Sequence, residues 1–231
     1  MTPQEIEDTL KNHETWLKSG EGKAADFSAQ NLENADYSKT LLRSAKFSGS
    51  NLAGAQFVES DLSYADLFSA CLNGANFFKA KLKGANLRGA EITNANFNGA
   101  MLIEVDLRSG AIANEDPERE PSLRVARSSI AGSELKEAQL HYANLAGVNL
   151  SDCDFEGADL QGARLEHANL NNTNLKGANL SYANLSNTDL TNVNLDGARI
   201  FGANFNGANI DREILIRAEI GDDTLKLPVL M

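Results

Sequence analysis

A large apolar residue recurs at every fifth position from Phe27 to Ile112 and again from Val125 to Ile210. That makes 36 positions, none of them polar, in a chain that is only 42% apolar. A helix repeats its apolar face every 3.6 residues and a half-buried strand every 2, so neither accounts for a period of five. A chain with this beat turns a corner once per repeat and sends one large side chain inward each time. It is therefore a solenoid.

With the central apolar residue at position i, the other phases sort by size and polarity. Position i−2 is usually Ala (Ala25, Ala35, Ala45, Ala55, Ala65), and its exceptions, such as Ser50, Ser60, Thr173 and Cys153, are mostly small. A site restricted to small residues of either polarity is crowded, so i−2 also faces inward, and large and small side chains alternate through the core. Position i−1 is mostly Asn or Asp, whose short polar side chains bond neighbouring backbone groups in turns. Position i+2 is often Gly, which marks a corner. Position i+1 varies and is mostly polar, as an outward position should be.

Repeats such as Ala85-Asn86-Leu87-Arg88-Gly89 and Ala178-Asn179-Leu180-Ser181-Tyr182 resemble the pentapeptide-repeat family over residues 23–212. The resemblance implies an all-β solenoid: a right-handed, four-sided β-helix with four pentapeptides per coil. It implies no particular activity. Four repeats per coil predict a second period of 20. Tyr37, Phe57, Phe77 and Phe97 keep that spacing, as do Phe27, Phe47, Leu67, Leu87 and Leu107. Thirty-six repeats make about nine coils, a rod about 43 Å long at the spacing of neighbouring strands.

The beat divides the chain into a cap (1–22), a first β-helix segment (23–112), an inserted loop (113–122), a second segment (123–212) and a C-terminal cap and tail (213–231). Ile112 and Val125 are separated by one repeat plus eight further positions. The insertion, ANEDPEREPS, carries Glu115, Asp116, Glu118 and Glu120 and two prolines, and is expected to leave the rod at a corner as an acidic excursion, either a tolerated loop or a partner-contacting protrusion. Leu123 falls at a crowded phase, which leaves room for a bend or an offset between the two halves.

At the N-terminus, Thr2-Pro3-Gln4-Glu5 is a capping box with Pro at the first helical position. Residues 3–18 are expected to form a helix laying Ile6, Leu10, Trp16 and Leu17 over the first coil. At the other end Asp211 caps a short helix over 212–219, with Ile214, Leu215 and Ala218 on one side. The apolar tail with Leu225, Leu227, Val229 and Leu230 covers either its own last coil or a partner's. Members of the family it resembles can dimerise through their C-terminal ends, so a homodimer is the hypothesis attached to that tail.

The net charge of −11 is unevenly spread. Residues 1–22 and 113–122 each carry −3 and residues 213–231 carry −2, while the two repeat segments carry 0 and −3. There is no basic patch to bind nucleic acid directly. There is also no apolar run long enough to span a membrane, and the charged N-terminus is not a signal peptide. With two cysteines at opposing phases, Cys71 outward and Cys153 inward, a reducing cytoplasmic setting follows.

No catalytic, cofactor or metal constellation emerges. His13 lies on the cap helix, and the separation of His141 and His167 is not a multiple of the column spacing. The expectation is a non-enzymatic interaction scaffold with an unknown protein partner. The resemblance also implies an alternative, a DNA mimic that binds type II topoisomerase (gyrase) and protects it from inhibitors. Such a mimic needs a continuous acidic face, for which Asp152, Asp154, Glu156 and Asp159 are the best candidates. A second candidate surface comprises Val58 and Phe78, outward and one coil apart, beside Lys79, Lys81 and Lys83. Tyr142 and Tyr182, two coils apart at i+2, are expected to share one column.

Overall fold

The computed structural model describes residues 1–113, 123–126 and 128–218. Its elements in chain order are helix α1 (Pro3–Ser19), strands β1 (Gly110–Ala113) and β2 (Leu123–Ala126), and helix α2 (Arg212–Arg217). The repeats between them are one continuous right-handed, four-sided β-helix.

Each repeat contributes one short β-bridge. Residue i−1 pairs in parallel with its counterpart one coil further on, as in Asp26↔Lys46, Lys46↔Asp66 and Asp66↔Asn86. The carbonyl of residue i then accepts from the N–H of i+3, as Phe27 accepts from Gln30 and Leu32 from Ala35, closing a tight turn. The third residue of this turn is left-handed throughout. Eighteen non-glycine residues, all at i+2, have φ between 53° and 62°. Glycine is thus frequent at this corner because the conformation suits it, and Ala29, Lys39 or Tyr64 adopt the same conformation where glycine is absent.

The Asn and Asp residues at i−1 have two roles. Their Oδ1 accepts from the N–H of i+1, as Asp26 does from Ser28 at 3.1 Å. Their side chains also bond each other up the rod: Asn51 donates to Asn31 at 2.9 Å, and Asn179 to Asp159 at 3.0 Å.

The interior follows the expected alternation. The central residues up to Phe205 and nearly all those at i−2 are buried, and Ile210 is partly so. Phe57 stacks on Phe77 with centroids 4.9 Å apart, and Phe77 on Phe97 at 4.7 Å, their planes within 4°. Tyr37 begins this column, stacked on Phe57 at 5.3 Å. Its hydroxyl is buried without a partner, and burial pushes its pKa up to about 12.

The insertion differs from expectation. Glu91 pairs with Ser129, Asn96 with Glu134, Met101 with Gln139 and Asp106 with Asn144, each at nearly twice the spacing of the other bridges. The solenoid therefore leaves out the whole stretch 110–127, and not just the eight extra positions. Leu107 is the last core residue before the break and Ile130 the first after it. Ile112 and Val125 belong to β1 and β2, which pair antiparallel as a hairpin (Ala111↔Val125, Ile112↔Arg124). The reason is that a hairpin strand wants the same β-branched residues as the core, and here they fall in phase with the beat. The repeats number 34, about 8.5 coils and about 41 Å of rod. No offset separates the halves, because the ladder runs straight across the break. Ser128 joins them: its Oγ accepts from Gly89 N–H and donates to the Arg108 carbonyl, both at 2.8 Å.

Helix α1 starts as read. Thr2 Oγ1 accepts from Glu5 N–H, Glu5 accepts from Thr2 N–H, and Gly20 ends the helix in the left-handed conformation. Ile6 and Leu10 pack against the core, but the one fully buried side chain of α1 is His13. Its Nδ1 accepts from Ala25 N–H at 3.0 Å, and its ring stacks on Trp16 at 5.5 Å. Burial lowers its pKa. At the far end Asp211 caps α2, accepting from Glu213 N–H at 2.9 Å. Leu215 and Ala218 are buried and Ile214 partly so, and the helix ends at Arg217, before the expected 219.

Candidate interaction surface

The bridge register assigns every outward residue to a side or corner of the rod. The fourth side is built on Leu42, Leu62, Leu82, Leu102, Leu140, Leu160, Leu180 and Ile200. Its corner carries Tyr64, Gly84, Glu104, Tyr142, Gly162, Tyr182 and Gly202 in succession, all with positive φ. Tyr64, Tyr142 and Tyr182 therefore stand in one row, with 51%, 61% and 58% of their surface exposed, and Phe201 beside them is 41% exposed. They account for four of the seven large hydrophobic side chains exposed among the described residues.

The geometry of this row is set by glycines. Each tyrosine ring lies over the glycine of the next coil, so a β-carbon at Gly84, Gly162 or Gly202 would fall 2.7–2.8 Å from a ring carbon. The Cδ1–Cε1 edge of each ring meets the rod there, and more than half of each tyrosine remains exposed. Two other rings stand upright beside them. His141 meets Tyr142 at 6.0 Å and 88°, and Phe201 meets Tyr182 at 5.3 Å and 88°.

Tyr142 and Tyr182 do share a column, as their spacing predicts. Tyr64 joins them only when the whole of 110–127 is taken out between Leu107 and Ile130, so counting an insertion of eight hides it. The alternation of Tyr and Gly at the coil spacing was the available signal.

The other expected surfaces divide differently. Val58 and Phe78 lie on the Tyr37 side, both half-buried, and Lys79 sets its ammonium over the Phe78 ring at 5.0 Å. Lys81 and Lys83 flank Leu82 on the next side, so the five residues make two surfaces instead of one. The acidic segment is split as well. Asp152 sits at the corner after Leu150, Asp154 and Glu156 flank Phe155, and Asp159 lies beside Leu160. Lys136 bonds Asp154 at 3.0 Å and Glu156 at 3.5 Å, and Lys176 reaches Glu156 at 3.4 Å. Burial opposes ionisation of Asp154, but the Glu156 N–H and Lys136 hold its pKa below the usual value.

Glu115, Asp116, Glu118 and Glu120 lie outside the described residues, as do Leu225, Leu227, Val229 and Leu230. A cavity of about 450 Å³ opens beside Leu190, Ile210 and Ile214 at the end of the last coil. Cys71 and Cys153 are unpaired, the latter buried with its Sγ donating to the Ile130 carbonyl. Among the described residues no group of His, Cys, Asp or Glu is arranged to hold a metal ion, and no helix is long and apolar enough to cross a membrane. His141 and His167 lie on different sides of the rod.

No curated protein matches the chain in sequence. Among solved structures it is similar to HetL, a pentapeptide repeat protein involved in heterocyst differentiation regulation from the cyanobacterium Nostoc sp. strain PCC 7120. The two are 28% identical with a TM-score of 0.55, over 80% of this chain and 84% of that one. It is also similar to Rfr23 from the cyanobacterium Cyanothece 51142, at 28% identity and a TM-score of 0.48 over 57% of this chain and 91% of the other. QnrB1, a plasmid-mediated fluoroquinolone resistance protein, matches at 23% identity and a TM-score of 0.41, over 84% and 93% of the two chains. The family model for pentapeptide repeats matches residues 23–55, 40–77, 70–108, 133–172 and 168–207. Those matches stop at 108 and resume at 133, on either side of the hairpin, and by them this chain belongs to the pentapeptide-repeat family.

Proposed function

We propose that this chain is a non-enzymatic protein-interaction scaffold that engages its partner along the tyrosine corner of the fourth side. The observation that carries this reading is the row formed by Tyr64, Tyr142, Tyr182 and Phe201. Exposed aromatic side chains held rigidly on a polar scaffold are the residue type that dominates binding energy at interfaces. HetL's part in regulating differentiation is a role that a rod without catalytic groups can fill. The unpaired thiols fit the cytoplasmic setting that the reading assumes.

The charge pattern favours this reading over a DNA mimic acting on type II topoisomerase. A mimic needs acids along one face, whereas Asp152, Asp154, Glu156 and Asp159 wrap around the rod and two of them are paired with lysine.

The test is capture on immobilised protein from an extract of the source organism, comparing the native chain with a Tyr142→Ala/Tyr182→Ala double variant. A partner retained by the first and lost by the second, at equal melting temperature, is expected. If both retain the same proteins, the tyrosine corner is not the contact. In parallel, protection of gyrase supercoiling by micromolar protein would favour the mimic instead.

A further inference from the structure

We infer that the stretch of corner from Tyr142 to Phe201 binds a proline-rich segment in the polyproline II conformation. This deepens the scaffold reading and rests on it, naming the chemistry of the partner.

The corner holds two L-shaped aromatic notches. In the first, Tyr142 is the floor and His141 the wall; in the second, Tyr182 is the floor and Phe201 the wall. Gly162 and Gly202 let each floor ring approach the rod closely, and both tyrosines stay more than half exposed. The two floors are two coils apart along the rod, about 9.6 Å at the spacing of neighbouring strands.

That distance selects among backbone conformations. In a polyproline II helix, three residues rise about 9.3 Å and bring the same face round again. A bound β-strand repeats each face at about 6.7 Å, and an α-helix at about 5.4 Å per turn, so neither keeps step with both notches. A prolyl ring also suits the notch chemically. It is compact and rigid, its CH groups are positively polarised, and an aromatic face is negative.

The donors are placed to match. Polyproline II has no internal hydrogen bonds, so its carbonyls need external donors. Gln161 lies before the Gly162 corner and Arg164 beyond it, midway between the floors. Among the described residues the Gln161 amide has no protein partner, and Arg164 is bonded only to Glu166, with 58% of its side chain exposed. Tyr64 is three coils from Tyr142, about 14 Å away. It is out of step with the period, so it lies outside this site.

The test is titration of the full chain with a synthetic ten-residue oligoproline, followed by tyrosine fluorescence and calorimetry, beside a Gly/Ser peptide of equal length. Tyr142→Ala and Tyr182→Ala are each expected to weaken oligoproline binding at least about tenfold. Tyr64→Ala should leave it unchanged. Equal binding of the Gly/Ser peptide, no binding at millimolar oligoproline, or an equal loss in Tyr64→Ala would overturn the inference. If oligoproline fails while partner capture still depends on Tyr142 and Tyr182, the proline-rich occupant is wrong and the scaffold reading stands. If both fail, both are wrong.

Discussion

The ring of Tyr142 rests on the α-carbon of Gly162, one coil later, so closely that a β-carbon there would sit 2.7 Å from ring Cε1. Gly162 is thus fixed by its neighbour as well as by its φ of 64°. Gly177 has a φ of 67° and nothing within 4 Å. Gly177→Ala should therefore cost only the backbone strain, about 1 kcal/mol. Gly162→Ala should cost more and shift the Tyr142 ring resonances. Adding Tyr142→Ala should bring the Gly162→Ala cost back to that of Gly177→Ala in a thermal double-mutant cycle.

Tyr37 continues a phenylalanine column but hides an unpartnered hydroxyl. Tyr37→Phe removes that polar atom and keeps the stack. It should raise stability by about 1 kcal/mol in thermal or urea unfolding.

His13 titrates with the cap. As a neutral ring it accepts Ala25 N–H, and burial holds its pKa below the usual 6.5. The unfolded chain therefore binds a proton more readily than the folded one. Stability is full above about pH 6.5 and is lost as pH falls from there through the folded pKa. Trp16 fluorescence should report loosening of α1 as the pH falls below about 6.5. His13→Asn, which keeps an acceptor and cannot titrate, should flatten that profile.

The hairpin can be removed without breaking the ladder. Deleting residues 110–127 joins Ser109 to Ser128 and restores the regular coil spacing on all four sides. This variant should fold with a melting temperature within a few degrees of the native chain. Deleting the eight residues 114–121 preserves the five-residue beat on paper. That deletion leaves one residue to close the hairpin between Ala113 and Leu123, so this variant should be clearly less stable by calorimetry.

Much of the architecture could be read from residue type by phase, because each phase has a single environment. Phe, Leu and Ile meet the core at i, Ala fills the crowded i−2, and Asn or Asp at i−1 bonds Oδ1 to the turn. The hairpin escaped because Ile112 and Val125 satisfy a strand and a core position equally well. His13 escaped because it is a polar residue on the buried stripe of α1, where only the apolar Ile6, Leu10, Trp16 and Leu17 drew the eye. The tyrosine row was half visible: Tyr142 and Tyr182 lie on one side of the insertion, while placing Tyr64 needs its true length. The sequence order of charges misled most. Runs such as Lys79, Lys81 and Lys83, or Asp152 to Asp159, are spread around a square section, so a continuous charged face along the rod would need residues a full coil apart.

The bridges across the hairpin also set how the molecule reaches its native state. Everywhere else a coil is added by closing a loop of one coil's length onto a finished edge, so the rod grows as a zipper whose step cost does not rise with length. From Glu91↔Ser129 to Asp106↔Asn144 each closure spans nearly twice that length of chain. Nearly doubling the loop adds about 0.6 kcal/mol to closing it. The chain then has two runs that zip at an even pace and one slow step between them. The hairpin is therefore a pause in assembly as much as an ornament on the finished rod.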